Sequence, residues 1–288
     1  MRGGLYAPIV FSWWDRYTAC VRFSRCRRHR SAAPSQSSRL FRNRPPRAKG
    51  KKMSTDTMIV RDLRRLWKPH KERLGQQQPD HPTAVRFHRA CSWLAQAQQM
   101  NADQLGDLVL IQQWTALNAL YGRWNEELGD PVSDRQSLRL FLENVLTLDS
   151  AHHLVTVLED HRGLVLAIVE NAYLNGYFWD EPNEESRVRL SKSKFKAQSW
   201  YVEKRWLLLT ELLLERIYLL RCQVVHGAST FGSKLNRKAL GHCTVMMGHL
   251  LPAVLRVWID HGADVDWGPM CYPPQEQKNA TVPVRRPR

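Results

Sequence analysis

Apolar residues recur at helical spacing along most of the chain. In TAVRFHRACSWLAQAQQM (83–100) they fall at Val85, Ala90, Trp93, Leu94 and Ala97, which predicts an amphipathic helix. Pro82 just before it suits a first helical position. The stretch QLGDLVLIQQWTALNALYGRW (104–124) is apolar almost all round and predicts a buried central helix. A third helix is expected after the GDPVSD turn, over DRQSLRLFLENVLTLD (134–149), with Ser133 or Asp134 as N-cap. HHLVTVLEDHRGLVLAIVENAYL (152–174) reads as one helix, or two broken near Gly163. DEPNEES (180–186) reads as a loop leading into a basic stretch over 187–205. A long helix is then predicted from about Lys196 or Trp200 to His226, carrying Leu207, Leu213, Ile217, Leu220 and Val224. The last helix is predicted to start after Asn236 and run to His261, with Pro252 able to kink it and Gly262 terminating it. No strand-like alternation competes, and no internal repeat is present. The expected fold is all-α, a single helical-bundle domain over 82–273, preceded by a short helix and linker over 58–81.

Charge changes the picture only at the ends. The formal net charge of the 288 residues is +16, which taken globally points to a nucleic-acid binder. Residues 1–52, however, hold fourteen Lys and Arg against one acidic residue, so the remainder of the chain is close to neutral. Residues 1–57 are rich in Arg, Ser and Pro without a long apolar period, and are expected to be a disordered basic extension. Three readings of it stand open: a start assigned upstream of Met53 or Met58, a nucleic-acid-binding arm, or an acid-poor transit peptide. Residues 274–288 are expected to be a disordered basic tail.

Six cysteines at 20, 26, 91, 222, 243 and 271 form no CxxC pair. This argues against a zinc site or a disulfide framework and for reduced thiols in a cytoplasmic protein. Cys20, Cys26 and His29 lie close together, but in an arm that is expected not to fold. No charge-free apolar window of membrane-spanning length stands out, so no membrane is expected as a partner. No phosphate-cradling glycine loop is present, which disfavours a nucleotide hydrolase. His152 and His153 read as first-turn surface residues. His242 and His249 can share a helix face but lack a spaced acidic partner. Trp114, Tyr121 and Trp124 read as core or interface aromatics, and the Lys and Arg of 187–205 as a solvated face or an RNA-backbone track.

One segment carries candidate chemistry. RIYLLRCQVVHGASTFGSKLNR (216–237) puts Arg221 and His226 at the end of an apolar helix that must stop at Gly227. The last turn of a helix stabilises a cation by about 0.3–1 kcal/mol, which suits His226 to proton transfer. Arg221 offers a planar cation suited to phosphate oxygens. Five residues span about 500° of ideal helix, so the two side chains diverge by roughly 140° within one copy. A second copy crossing near a two-fold axis brings both pairs into one cleft. At an RNA phosphodiester the neighbouring 2′-hydroxyl is the nucleophile, so an Arg and a His suffice without metal, and DNA is inert. The plainer reading is a capping His and an Arg that snorkels or pairs with Glu211 or Glu215.

RCQVVHGASTFGSKLNR resembles the signature of the HEPN superfamily, Arg followed after four to six residues by His, and in particular its Apea-like branch. LIQQWTALNALYGR (110–123) is similar to that branch's early buried helix, and DWGPMCYP (266–273) to its closing segment. The resemblance implies a helical domain that dimerises through the Arg/His helix. It also implies metal-independent endoribonuclease activity, in a toxin–antitoxin or phage-defence setting, with no cofactor. Arg221 and His226 take the catalytic positions, and Asn236 and Arg237 match a downstream pair of unassigned role. The implied partners are RNA, a second copy of the chain, and an antitoxin or other protein. The position after the arginine is usually polar, and here it is Cys222, a weak hydrogen-bond partner. The competing expectation is therefore a non-catalytic dimer that binds RNA or protein.

Overall fold

The computed structural model describes residues 59–176, 184–228, 230–232 and 236–274, all within one of the chain's two units, Thr57–Arg288. The basic extension with Cys20, Cys26 and His29, residues 180–183 of the expected loop, and the tail beyond residue 274 lie outside the described residues. The fold is all-α. Its helices are α1 (Val60–Gln77), α2 (Pro82–Gln99), α3 (Ala102–Tyr121), α4 (Asp134–Leu148), α5 (His153–Asp160), α6 (Arg162–Val169), α7 (Glu184–Val202), α8 (Trp206–Val225) and α9 (Arg237–His261). A 3₁₀ turn, Ala172–Leu174, follows α6. Between α3 and α4 a small antiparallel ribbon pairs β1 (Trp124–Asn125) with β2 (Asp130–Pro131), Trp124 opposite Pro131. Its turn is closed by the Asn125 side chain accepting from the amides of Glu127 and Leu128.

The apolar helices pack where the pattern requires. α2 lies along α3, α3 against α9, and α8 is surrounded by α3, α4, α6 and α7. The core runs through Trp114 and Leu117 of α3, Leu213 and Ile217 of α8, and Met246 and Leu250 of α9. Helix α1 is longer than the short helix expected before residue 82. It buries Val60, Leu63, Trp67 and Leu74 in the same core, with Trp67 stacked on Phe87 at 4.5 Å. By length and composition α9 could span a membrane, but 72% of its apolar window is buried inside the protein, as befits a core helix.

Several boundaries differ from the expectation. The long helix predicted from Lys196 or Trp200 to His226 is two, because α7 ends at Val202 and α8 begins at Trp206. The break is at Lys204, in the left-handed region at φ 54°, where the Arg205 amide donates back to Trp200 O. A lysine there costs about 1–2 kcal/mol and carries no glycine or proline signal, so the sequence conceals it. Helix α7 also starts earlier, taking in Glu184–Ser186 of the expected loop. The segment 152–174 breaks at His161, one residue before α6 and two before Gly163. Ser133 is the N-cap of α4, without a side-chain cap bond. Gly262 does end α9, but at φ −91°. A Cβ there would meet Trp258 backbone at 2.9 Å and the Trp267 ring at 3.0 Å, so the close approach of the stacked Trp258–Trp267 pair (4.2 Å) calls for glycine.

Candidate functional site

The turn that ends α8 follows from Gly227. At φ 68° it lets the Gly227 amide donate to Val224 O and the Ala228 amide to Gln223 O, while the His226 amide reaches Cys222 O. Backbone groups thus occupy the final carbonyls. His226 stands exposed at this end of the helix.

Arg221 is half-buried one and a half turns earlier. It makes no ion pair among the described residues, and Glu211 pairs instead with Arg139 at 3.4 Å. Its guanidinium lies 5.8 Å from the Tyr218 ring centroid, within cation–π range. Tyr218 in turn tilts against Trp114 at 5.3 Å. Asp134, at the start of α4, is within electrostatic reach. Burial raises its carboxyl, and the Arg221 cation pulls it the other way.

Cys222 is buried, and Arg221 Nη1 lies 4.0 Å from its sulfur. Burial raises the thiol, against the contacts from Tyr218 and Arg221 that lower it. A raised thiol is neutral at pH 7 and is a packing group, not a nucleophile.

The roles of Asn236 and Arg237 become legible in the fold. Asn236 adopts the left-handed conformation at the N-cap of α9, φ 56°, and its Nδ2 donates to Gln223 Oε1 at 3.5 Å. Gln223 itself donates to Tyr173 O at 2.8 Å. Arg237 pairs with the buried Asp107 at 3.4 Å, and Asp107 also accepts from the Gly232 amide. The pair therefore ties the segment after His226 back to α8 and α3.

The remaining histidines divide in the same way. His152 is the left-handed residue before α5, whereas His153 is no plain surface residue. Its Nε2 meets Asp260 at 2.9 Å while Asp149 caps the helix amides. Trp114 and Tyr121 are core residues, and Trp124 tilts on Tyr272 at 5.7 Å. Along the basic stretch, Lys194 pairs with Glu170 while Lys192 and Lys196 are exposed on α7. Among the described residues no group of three or more His, Cys, Asp or Glu is arranged to hold a metal ion.

His249, instead of pairing with His242, stacks on His161 with ring centroids 3.9 Å apart. Burial lowers the His249 imidazole, and His161 lowers it further. A histidine depressed in the folded state resists a proton that the unfolded chain accepts, so its contribution to stability is lost as pH falls below the ordinary histidine range. The half-buried Asp134 and Glu211 carboxyls are raised and act in the opposite sense at lower pH, so a difference between variants isolates the imidazole. Replacing His249 with glutamine is expected to flatten the fall in urea midpoint between about pH 7 and pH 5. An unchanged slope would show that the stacked pair is not coupled to folding.

Sequence reasoning missed one group, the arginines of α2. Arg86 is 1% exposed, and its two terminal nitrogens donate to the carbonyls of Leu120, Gly122, Gly268 and Pro269 at 2.7–3.2 Å. Arg89 donates to Cys271 O and Tyr272 O. The i, i+3 spacing of two arginines on an otherwise apolar face was the available signal. No known protein family, curated protein or solved structure matches this chain.

Proposed function

We propose that this chain is a metal-independent endoribonuclease of the HEPN type, working as a homodimer in which Arg221 and His226 of both protomers share one cleft. The observation that carries the reading is the end of α8: a half-exposed arginine without an ion pair among the described residues, then an exposed histidine at a backbone-capped turn. In the reaction the 2′-oxygen of RNA bonds to the adjacent phosphorus as the bond from phosphorus to O5′ breaks. One imidazole takes the proton from O2′, and one, as imidazolium, returns a proton to O5′. Arg221 stabilises the charge that builds on the phosphorane oxygens. The products are a 2′,3′-cyclic phosphate and a 5′-hydroxyl. A cytoplasmic toxin–antitoxin or phage-defence role, with an antitoxin or other protein as partner, belongs to the same reading.

The second reading, a non-catalytic dimer that binds RNA or protein, is favoured by Cys222, whose neutral buried thiol gives Arg221 only a long, weak contact. The full chain incubated with structured and single-stranded RNA in EDTA separates the two. Cleavage leaving 2′,3′-cyclic ends, with the matching DNA intact, is expected. Intact RNA in every substrate would move the reading to the binding module.

A further inference from the structure

A cleft of about 400 Å³ is lined by α2, the end of α3, the ribbon and the closing segment Met270–Tyr272. Its volume falls in the usual range for small-molecule sites. Arg86, Arg89 and Arg123 all line it, with Asp134 as the single carboxylate among the lining residues. Arg86 and Arg89 spend their hydrogen bonds on neutral carbonyls. The Arg123 side chain makes no hydrogen bond or ion pair among the described residues, and its buried Nε has no partner. A Cβ at Gly268 would lie 2.6 Å from the Arg123 guanidinium, so the glycine makes room for that side chain.

The three cations are thus gathered without matching negative charge. Burial brings Arg86 down to about 10, and the neighbouring Arg123 and Arg89 act in the same direction, with Cys271 opposing them. Asp266 lies within electrostatic reach of Arg86 but does not line the cleft. Two aromatic rings share the wall: Trp93 is 44% and Tyr272 69% exposed, the second flanked by Trp124. Unpaired guanidinium favours phosphate oxygens, and an exposed ring offers a stacking surface for a planar base.

We propose that this cleft binds a nucleoside phosphate, its phosphate on Arg123 and Arg89 and its base against Trp93 and Tyr272. Neither Arg221 nor His226 lines the site, which shares only Asp134 with the surroundings of that pair. Two sources supply this chemistry, a free nucleotide and the phosphorylated end of an RNA strand.

Calorimetric titration of the full chain with adenosine 5′-monophosphate, adenosine and inorganic phosphate tests the proposal. The monophosphate is expected to bind at least about tenfold more tightly than adenosine, the worth of one charge-assisted hydrogen bond. Arg123→Met is expected to abolish that difference, and Trp93→Ala, an exposed change, to weaken the monophosphate and leave inorganic phosphate unaffected. A short oligoribonucleotide, with and without a 5′-phosphate, assigns the source. Tighter binding of the phosphorylated strand than of the monophosphate identifies a strand end, and the reverse order a free nucleotide. Equal affinities for adenosine and its monophosphate, or full affinity in a folded Arg123→Met chain, would overturn the site. Should Arg123→Met fail to fold, full affinity in Trp93→Ala and Arg89→Met overturns it equally. Loss of RNA cleavage elsewhere in the molecule leaves these titrations unaffected, so the two readings fail separately.

Discussion

Alanine at position 226 is expected to lower RNA cleavage on the order of 10²–10⁴-fold, the usual contribution of a positioned general acid or base. The end of α8 should stay closed, because the amides of His226, Gly227 and Ala228 close it. Arg221→Ala should cost on the order of 10²–10³-fold through lost charge stabilisation. Arg221 is half-buried without an ion pair among the described residues, so its removal leaves no carboxylate stranded in a salt bridge. The sharper measurement mixes the two variants. In a shared cleft a heterodimer of Arg221→Ala and His226→Ala retains one arginine and one histidine, and partial cleavage should return after subunit exchange. A mixture that stays as inactive as either variant, with exchange confirmed, would rule out the composite cleft.

Arg86→Met should produce a large loss of stability. One buried guanidinium satisfies four carbonyls, two at the end of α3 and two in the segment after Trp267. Methionine fills much of the same space and restores none of those bonds. Pro269 O keeps the Trp124 amide, but leaving the buried Leu120 carbonyl and the part-buried Gly122 and Gly268 carbonyls unsatisfied costs about 1–3 kcal/mol each, and partial solvation through the adjoining cleft limits the total to roughly 3–5 kcal/mol. For a domain of this size that corresponds to a fall in Tm of roughly 6–20 °C. Lysine should recover less than half, because one ammonium cannot reach four acceptors on two segments. Arg89→Met, whose bonds are partly exposed, should cost no more than about 1 kcal/mol. Thermal melts of the four proteins check the order. An Arg86→Met chain within about 1 kcal/mol of the parent would show that the clamp is not what closes the fold.

The helical periodicity of residues 83–100, 104–124 and 134–149 specified α2, α3 and α4 to within a few residues, because one buried face per helix leaves its spacing in the sequence. The same holds for the stop at Gly227, where a left-handed turn calls for glycine. The break at Lys204, made without glycine or proline, was hidden: the residue adopts positive φ because the packing of the flanking helices outweighs a local cost of about 1–2 kcal/mol. The candidate pair Arg221 and His226 could be named from spacing alone, but its surroundings could not. Tyr218 is a local neighbour, whereas Trp114 and Asp134 come from α3 and α4, about a hundred residues earlier in the chain. The partners of Asn236 and Arg237, Gln223 and Asp107, also come from other elements of the fold. The arginine clamp was likewise a tertiary fact: Arg86 meets carbonyls of Gly268 and Pro269, more than 180 residues away along the chain. A backbone acceptor has no residue identity for a sequence pattern to record. Periodicity reports which face of an element is buried, and only the packed chain decides which polar groups that burial brings together.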